Sequence, residues 1–189
     1  LIFSKKFIDL SAYLKNTKEE ILFEKNKIQI NYKKDKLKVK GTGSIFFTDK
    51  SEQITYEIIK NNDQFSFDTK FNIKDNSFQI VPLNYEKKED INSIIIIDGD
   101  FKKGNLLKFK TISLEENQNK ILINNLKLDK NFKVLDIEKA NINYKNKNKI
   151  LNKINLRKDN SNFIVEGDNL DLSKLIDNIM DSDDENSSI

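Results

Sequence analysis

Cysteine and histidine are both absent from this sequence. Without Cys there are no disulfides, no thiolate nucleophiles and no Cys-based zinc sites. Without His the commonest general base and metal ligand is missing, and with it every Ser–His or Cys–His pair. No nucleophile–base pair stands out among the remaining residues. The chain therefore reads as a non-enzyme, with no catalytic residue, no metal site and no cofactor. The missing Cys fits the periplasm and the cytosol equally well. No secretory leader pattern and no run of about 18 apolar residues is present. The opening on Leu1, inside an apparent strand, reads as a segment of a longer chain.

Apolar residues are also scarce, at 37%, against roughly 45–50% in ordinary globular domains when Gly is included. Charged residues reach 33%. A sheet with one apolar face uses few apolar residues per residue of structure, and so suits this composition. The net charge of +3 is a small difference between 33 basic and 30 acidic residues. It is weak support for a nucleic-acid partner, and the abundance of Lys, Asn and Ile reads as a compositional bias. The 189 residues suggest one domain or one unit of a larger array.

From Lys27 onward the dominant period is two, the signature of half-buried strands. Ile28, Ile30 and Tyr32 share a face. Leu37, Val39, Ile45 and Phe47 are in phase, with Gly41 and Gly43 among them as a bulge or bend. Ile54, Tyr56 and Ile58 follow, then Phe65, Phe67, Phe71 and Ile73. Polar turn signals at Asp49–Ser51 and Asn61–Asp63 separate these runs, which predicts hairpins and antiparallel order. Further strands are expected at Ile91–Ile97, ending in a turn at Asp98-Gly99-Asp100, and at Leu106–Leu114. Ile121 and Ile123 make another, which Leu126 and Leu128 extend out of phase. Phe132–Ile137, Asn141–Tyr144, Ile150–Leu156 and Phe163–Val165 complete about ten strands.

Two segments have helical spacing instead: Asp9–Leu22, with Leu10, Tyr13 and Leu14 on one face, and 171–180, with Leu172, Leu175, Ile176, Ile179 and Met180 together. The predicted organisation is a preceding-repeat end plus short helix over 1–22, a β-sheet unit over 23–169 and a capping helix over 170–180. An acidic disordered tail is expected over 181–189. The two helical segments echo each other. Ile8-Asp9-Leu10-Ser11-Ala12-Tyr13-Leu14 lines up with Leu170-Asp171-Leu172-Ser173-Lys174-Leu175-Ile176, each after an apparent strand end.

The stretch from Phe163-Ile164-Val165-Glu166-Gly167 into Leu170-Asp171-Leu172-Ser173 resembles a pattern that recurs in AsmA-like proteins of the Gram-negative envelope, the group with YhdP- and TamB-type chains. Ile97-Asp98-Gly99-Asp100-Phe101 and Ile123-Asn124-Asn125-Leu126-Lys127-Leu128 are similar in style to their strand repeats. The resemblance implies an all-β fold with short helices, whose long antiparallel strands curl into an apolar groove. It implies a non-enzymatic, membrane-anchored periplasmic protein that moves phospholipid between inner and outer membrane in outer-membrane biogenesis. Its partners would be phospholipid acyl chains and the inner membrane, reached through an anchor outside this segment.

The residues themselves leave two readings open. A half-apolar sheet must cover its apolar face. A second sheet would make a structural sandwich or adhesin-like envelope domain without a ligand; a lipid would make a groove. A lipid can do this energetically: at ~0.8 kcal/mol per CH₂, a tail of about 16 carbons gains on the order of 12 kcal/mol over water. The resemblance tilts the reading to the groove. Its candidate lining is Val39, Ile45, Phe47, Tyr56, Phe65, Phe67, Phe71, Ile95, Ile97, Phe109, Ile123, Ile142 and Val165. A one-residue slip in pairing would reverse every such assignment. The paired carboxylates Asp98 and Asp100 lack Ca²⁺-loop spacing and read as a turn. The acidic cluster Asp181, Asp183, Asp184 and Glu185 reads as solvated linker. Basic–aromatic mixtures such as Tyr32-Lys33-Lys34 and Phe101-Lys102-Lys103 are interleaved with acids, so no nucleic-acid partner is expected.

Overall fold

The computed structural model describes residues 2–4, 14–15, 20–46, 48–102, 107–129, 134–169 and 171. Among these residues the fold is nearly all β, with a 3₁₀ turn at Val81–Leu83 and no α-helix. The strands are β1 (Ile2–Ser4), β2 (Leu14–Lys15), β3 (Glu20–Lys33), β4 (Lys36–Phe46), β5 (Ser51–Asn61), β6 (Gln64–Ile73), β7 (Phe78–Ile80) and β8 (Tyr85–Lys87). They continue as β9 (Ser93–Lys102), β10 (Leu107–Glu116), β11 (Asn119–Leu128), β12 (Val134–Asp136), β13 (Lys139–Lys145), β14 (Leu151–Asp159) and β15 (Asn162–Asn169).

One large sheet runs β1-β3-β4-β5-β6-β9-β10-β11-β13-β14-β15, with β12 paired beside β11. Every pairing in it is antiparallel. Its ends, β1 and β15, are not paired with each other, so the sheet is open rather than a closed barrel. The long hairpins follow from the alternation and from polar turns that tolerate a left-handed residue, as at Lys34 (φ 51), Asn62 (φ 51), Asn117 (φ 51) and Asn160 (φ 55).

A second sheet of three short strands, β2-β7-β8, lies on the apolar face at one end. Its Phe78 and Tyr85 sit in one buried cluster with Ile73 of β6, Leu114 of β10, Ile121 of β11 and Tyr144 of β13. In a flat sheet those strands would spread over roughly 19 Å. Residues of all these strands share one buried cluster with the hairpin because the large sheet curls round it.

Several expectations are corrected. The helical spacing over Asp9–Leu22 is not helix where the segment is described: Leu14–Lys15 is β2 and Glu20–Leu22 opens β3. Leu14 pairs with Ile80 and Leu22 with Ile2 and Phe46, so ladder pairing overrides local spacing. The helix expected over 170–180 and the tail over 181–189 fall outside the described residues, apart from Asp171. Asp98-Gly99-Asp100 is not a turn but the middle of β9, with Gly99 opposite Phe67 on one side and Phe109 on the other. A Cβ there would come within 2.3 Å of the Lys108 carbonyl oxygen and 2.8 Å of the Phe67 ring. Gly at this position serves close packing within the strand.

Candidate functional site

Paired residues on neighbouring strands point to the same side of a sheet, so the register decides which side chains share a face. One row runs Gly43, Ile54, Phe71, Ile95, Leu114, Ile121, Ile142, Ile154. The next runs Ile28, Gly41, Tyr56, Thr69, Ile97, Ile112, Ile123, Ala140, Leu156, Val165. A third runs Ile30, Val39, Ile58, Phe67, Gly99, Phe109, Leu126. Almost every member is apolar.

The opposite face is polar. There Glu57 holds Lys40 at 2.7 Å and Lys38 at 2.9 Å, and those two ammonium groups, Lys40 foremost, hold its carboxyl below the usual range. Ser66 donates to Asp100 at 2.7 Å, and Lys110 lies 3.2 Å from the same carboxylate. A shallow depression of about 880 Å³ also lies on this side of β3–β6. Lys27, Thr42, Thr55 and Lys70 form one of its rows, so it is distinct from the apolar trough.

Twelve of the thirteen candidate lining residues fall on the apolar face. Phe47 lies outside the described residues. Leu126 and Leu128, out of phase with Ile121 and Ile123 in the sequence, belong to the face as well. Asn125 adopts a left-handed conformation (φ 50), and the register of β10 against β9 shifts between Phe109 and Thr111 at the same level. The bulge flips the phase of both strands together. A comparable shift in β3, between Glu24 and Lys27, places Asn26 over Gly43, where a Cβ would meet its Oδ1 at 2.4 Å. The bulge expected at Gly41 and Gly43 thus lies opposite them, in β3. Gly41 leaves room for the Tyr56 ring.

Burial along this face is graded. Near the β2-β7-β8 sheet, Ile45, Ile54, Leu114 and Ile121 are at most 4% exposed. Towards the other end and the outer strands the same face opens: Ile30 is 64%, Tyr32 74% and Val165 61% exposed. Phe101 and Phe163 are exposed too. The result is a trough closed at one end by the β7–β8 hairpin and open at the other. From Ile73 to Phe65 along β6 it extends for roughly 27 Å. Phe67 meets Phe109 edge-on, with ring centroids 6.0 Å apart, near its middle.

The hairpin at the closed end is held by polar groups that the sequence reading passed over. Tyr85 donates to Glu116 Oε2 at 2.7 Å and meets Tyr144 edge-on at 5.8 Å. Tyr144 donates to the Leu83 carbonyl at 2.5 Å. Lys87, with no exposed surface, donates to the carbonyls of Lys74 (2.5 Å) and Asn76 (2.6 Å). Glu52 accepts from the Lys74 and Asn76 amides at 2.8 and 2.7 Å. Burial pushes the phenols of Tyr85 and Tyr144 up, Tyr144 to about 12, while burial pushes the Lys87 ammonium down. The available signal was Phe78-Gln79-Ile80, an alternating triplet just before Pro82 and the left-handed Asn84.

Asp136 sits between Lys158 (2.6 Å) and Lys127 (2.9 Å), tying β12 to β11 and β14. Hydrogen bonds from those two ammonium groups, Lys158 first, lower its pKa from the usual 3.8 to about 2. A carboxyl with a depressed folded pKa stabilises the fold above its unfolded pKa and loses that contribution as pH falls through the folded one. The Asp136 contribution is therefore complete above about pH 4 and fades towards pH 2. NMR titration of the side-chain carboxyl should give a midpoint near 2; a midpoint near 4 would mean that the two lysines do not hold it.

Neither a family model, nor a curated protein, nor a solved structure matches the chain. Among the described residues no group of three or more His, Cys, Asp or Glu could hold a metal ion. No helix of the described residues is long and apolar enough to cross a membrane. What the site offers chemically is apolar surface in a continuous, half-open strip.

Proposed function

We propose that the trough holds or conducts phospholipid acyl chains, and that this chain is a non-enzymatic segment of an AsmA-like envelope protein. One observation carries the reading. A single apolar face runs from β3 to β15, buried beside the hairpin and half-buried to exposed away from it. Contiguous exposed apolar surface of this extent on one face marks a place for a ligand or partner. A closed sandwich would lay a second sheet over the whole face, whereas β2-β7-β8 is three short strands at one end. The size also fits. An acyl tail spans one leaflet, about half of the ~30 Å hydrocarbon core of a bilayer. The trough, at roughly 27 Å, is longer than that.

A lipid held in this way needs no polar site for its tail, in keeping with the lack of a metal-holding cluster among the described residues. The setting that goes with this function is the periplasm, between inner and outer membrane, with the inner-membrane anchor elsewhere in the protein.

Expression in a Gram-negative periplasm followed by native mass spectrometry and lipid extraction tests the proposal. The expected outcome is co-purified phospholipid in near-stoichiometric amount. A folded protein free of lipid would overturn it and favour the ligand-free envelope scaffold.

A further inference from the structure

The open end of the trough differs from the closed end in its charge. On β3–β6 and the neighbouring β9, the residues at and beside the open-end turns include Lys33, Lys34, Lys36, Lys60 and Lys102, against Asp35 and Asp63. Most of these belong to the turns or to the polar face. Lys60 does not. It stands opposite Leu37 on one side and Phe65 on the other, in the apolar row that continues to Phe101 and Leu107. Its Nζ lies 5.8 Å from the centre of the Phe65 ring. Among the described residues it has no carboxylate within ion-pair distance. By contrast, Lys158, also at the open end, is bound by Asp136.

A cation that faces an apolar trough, and is left without a carboxylate, sets an electrostatic requirement on what enters there. The closed end sets the complementary one. Its inward-facing carboxylates are already satisfied, Glu52 by the Lys74 and Asn76 amides and Glu116 by Tyr85 of the hairpin. The buried Lys87 is bound to two carbonyls, and the hairpin packs over this end. A tail shorter than the trough can run towards the hairpin and leave its head group beside Lys60.

We propose that the open end is a head-group site for an anionic phospholipid, with Lys60 contacting the phosphate and the acyl tail directed towards the β7–β8 hairpin. This rests on the trough holding lipid at all. Lys33, Lys34 and Lys36 raise the potential around the same opening and favour a net negative lipid over a zwitterionic one. The ammonium over Phe65 can swing to a phosphate without breaking an ion pair.

The test is competitive loading of the purified protein with phosphatidylglycerol and phosphatidylcholine of identical tails, read by native mass spectrometry at low and high salt. The wild-type protein should take up phosphatidylglycerol about fivefold more tightly than phosphatidylcholine at low salt, and the preference should shrink at high salt. Lys60→Gln, a change at an exposed position, should weaken uptake of both lipids by removing the phosphate contact, with the thermal melt unchanged, and leave a smaller preference that comes from Lys33, Lys34 and Lys36 alone. Equal uptake of both lipids by the wild type, or uptake by Lys60→Gln as tight as by the wild type, would overturn the head-group site and leave the lipid trough standing. Uptake of neither lipid would overturn the trough and the head-group site together.

Discussion

Replacing Tyr85 with Ala should lower the unfolding free energy by ~3–5 kcal/mol, the range for emptying a large aromatic position in a packed core. Tyr85 is 1% exposed and touches both layers. Its ring packs on Phe78 and Tyr144, and its hydroxyl donates to the buried Glu116, as does Asn119 at 3.1 Å. The variant thus creates a cavity and also strips a partner from a buried carboxylate. Tyr85→Phe keeps the ring and loses only the hydroxyl, for an expected cost of ~1–3 kcal/mol. Tyr32→Ala provides the contrast. Tyr32 stands on the same apolar face at the open end, and its loss should change stability by no more than about 0.5 kcal/mol. Urea unfolding followed by circular dichroism measures all three. A Tyr85→Ala protein as stable as Tyr32→Ala would mean that the hairpin does not hold the closed end.

The second large effect concerns the ligand rather than the fold. Phe67→Asp combined with Ile97→Asp should reduce co-purified phospholipid at least tenfold with the sheet intact. Both residues lie in the middle of the trough and are only half-buried, so a carboxylate there stays hydrated in the empty protein. Against an acyl tail it would be desolvated without a partner, a penalty of several kcal/mol, and 1.4 kcal/mol is already tenfold in affinity. Ile96→Asp is the matched control. Ile96 is one residue from Ile97 and pairs with Lys70 and Ser113 on the polar face. It should retain its lipid. Equal loss in all variants would point to a general weakening of β9, and equal retention would contradict the lipid trough.

The face of the sheet was legible because period two holds along the long strands except at their bulges. Val39, Tyr56, Phe67 and Ile97 are placed together by strict alternation across four strands, with polar turns marking the reversals from β4 to β5 and from β5 to β6. What alternation alone does not carry is pairing, and it fails wherever a residue is inserted. Leu126 and Leu128 look misplaced until the left-handed Asn125 is recognised as a bulge matched by the shift at Lys110. Asn is among the few residues that adopt this conformation readily, so the signal existed but did not identify itself. Gly99 misled for the opposite reason. Asp-Gly-Asp has turn chemistry, and only the approach of the Lys108 carbonyl explains a Gly in mid-strand. The hairpin at the closed end was missed because three-residue strands are too short for any period to declare itself. Its determinants, Tyr85 with Glu116 and Lys87 with two carbonyls, are long-range contacts.

A photo-crosslinking walk along β9 tests the central claim most directly. A photoreactive phenylalanine analogue is placed in turn at Ile95, Ile96, Ile97 and Asp98, and the protein is irradiated in the envelope. Phospholipid adducts at 95 and 97 but not at 96 and 98 are the expected result, because alternate residues face opposite sides of the sheet. Adducts at all four positions, or at none, would contradict a lipid held on the apolar face.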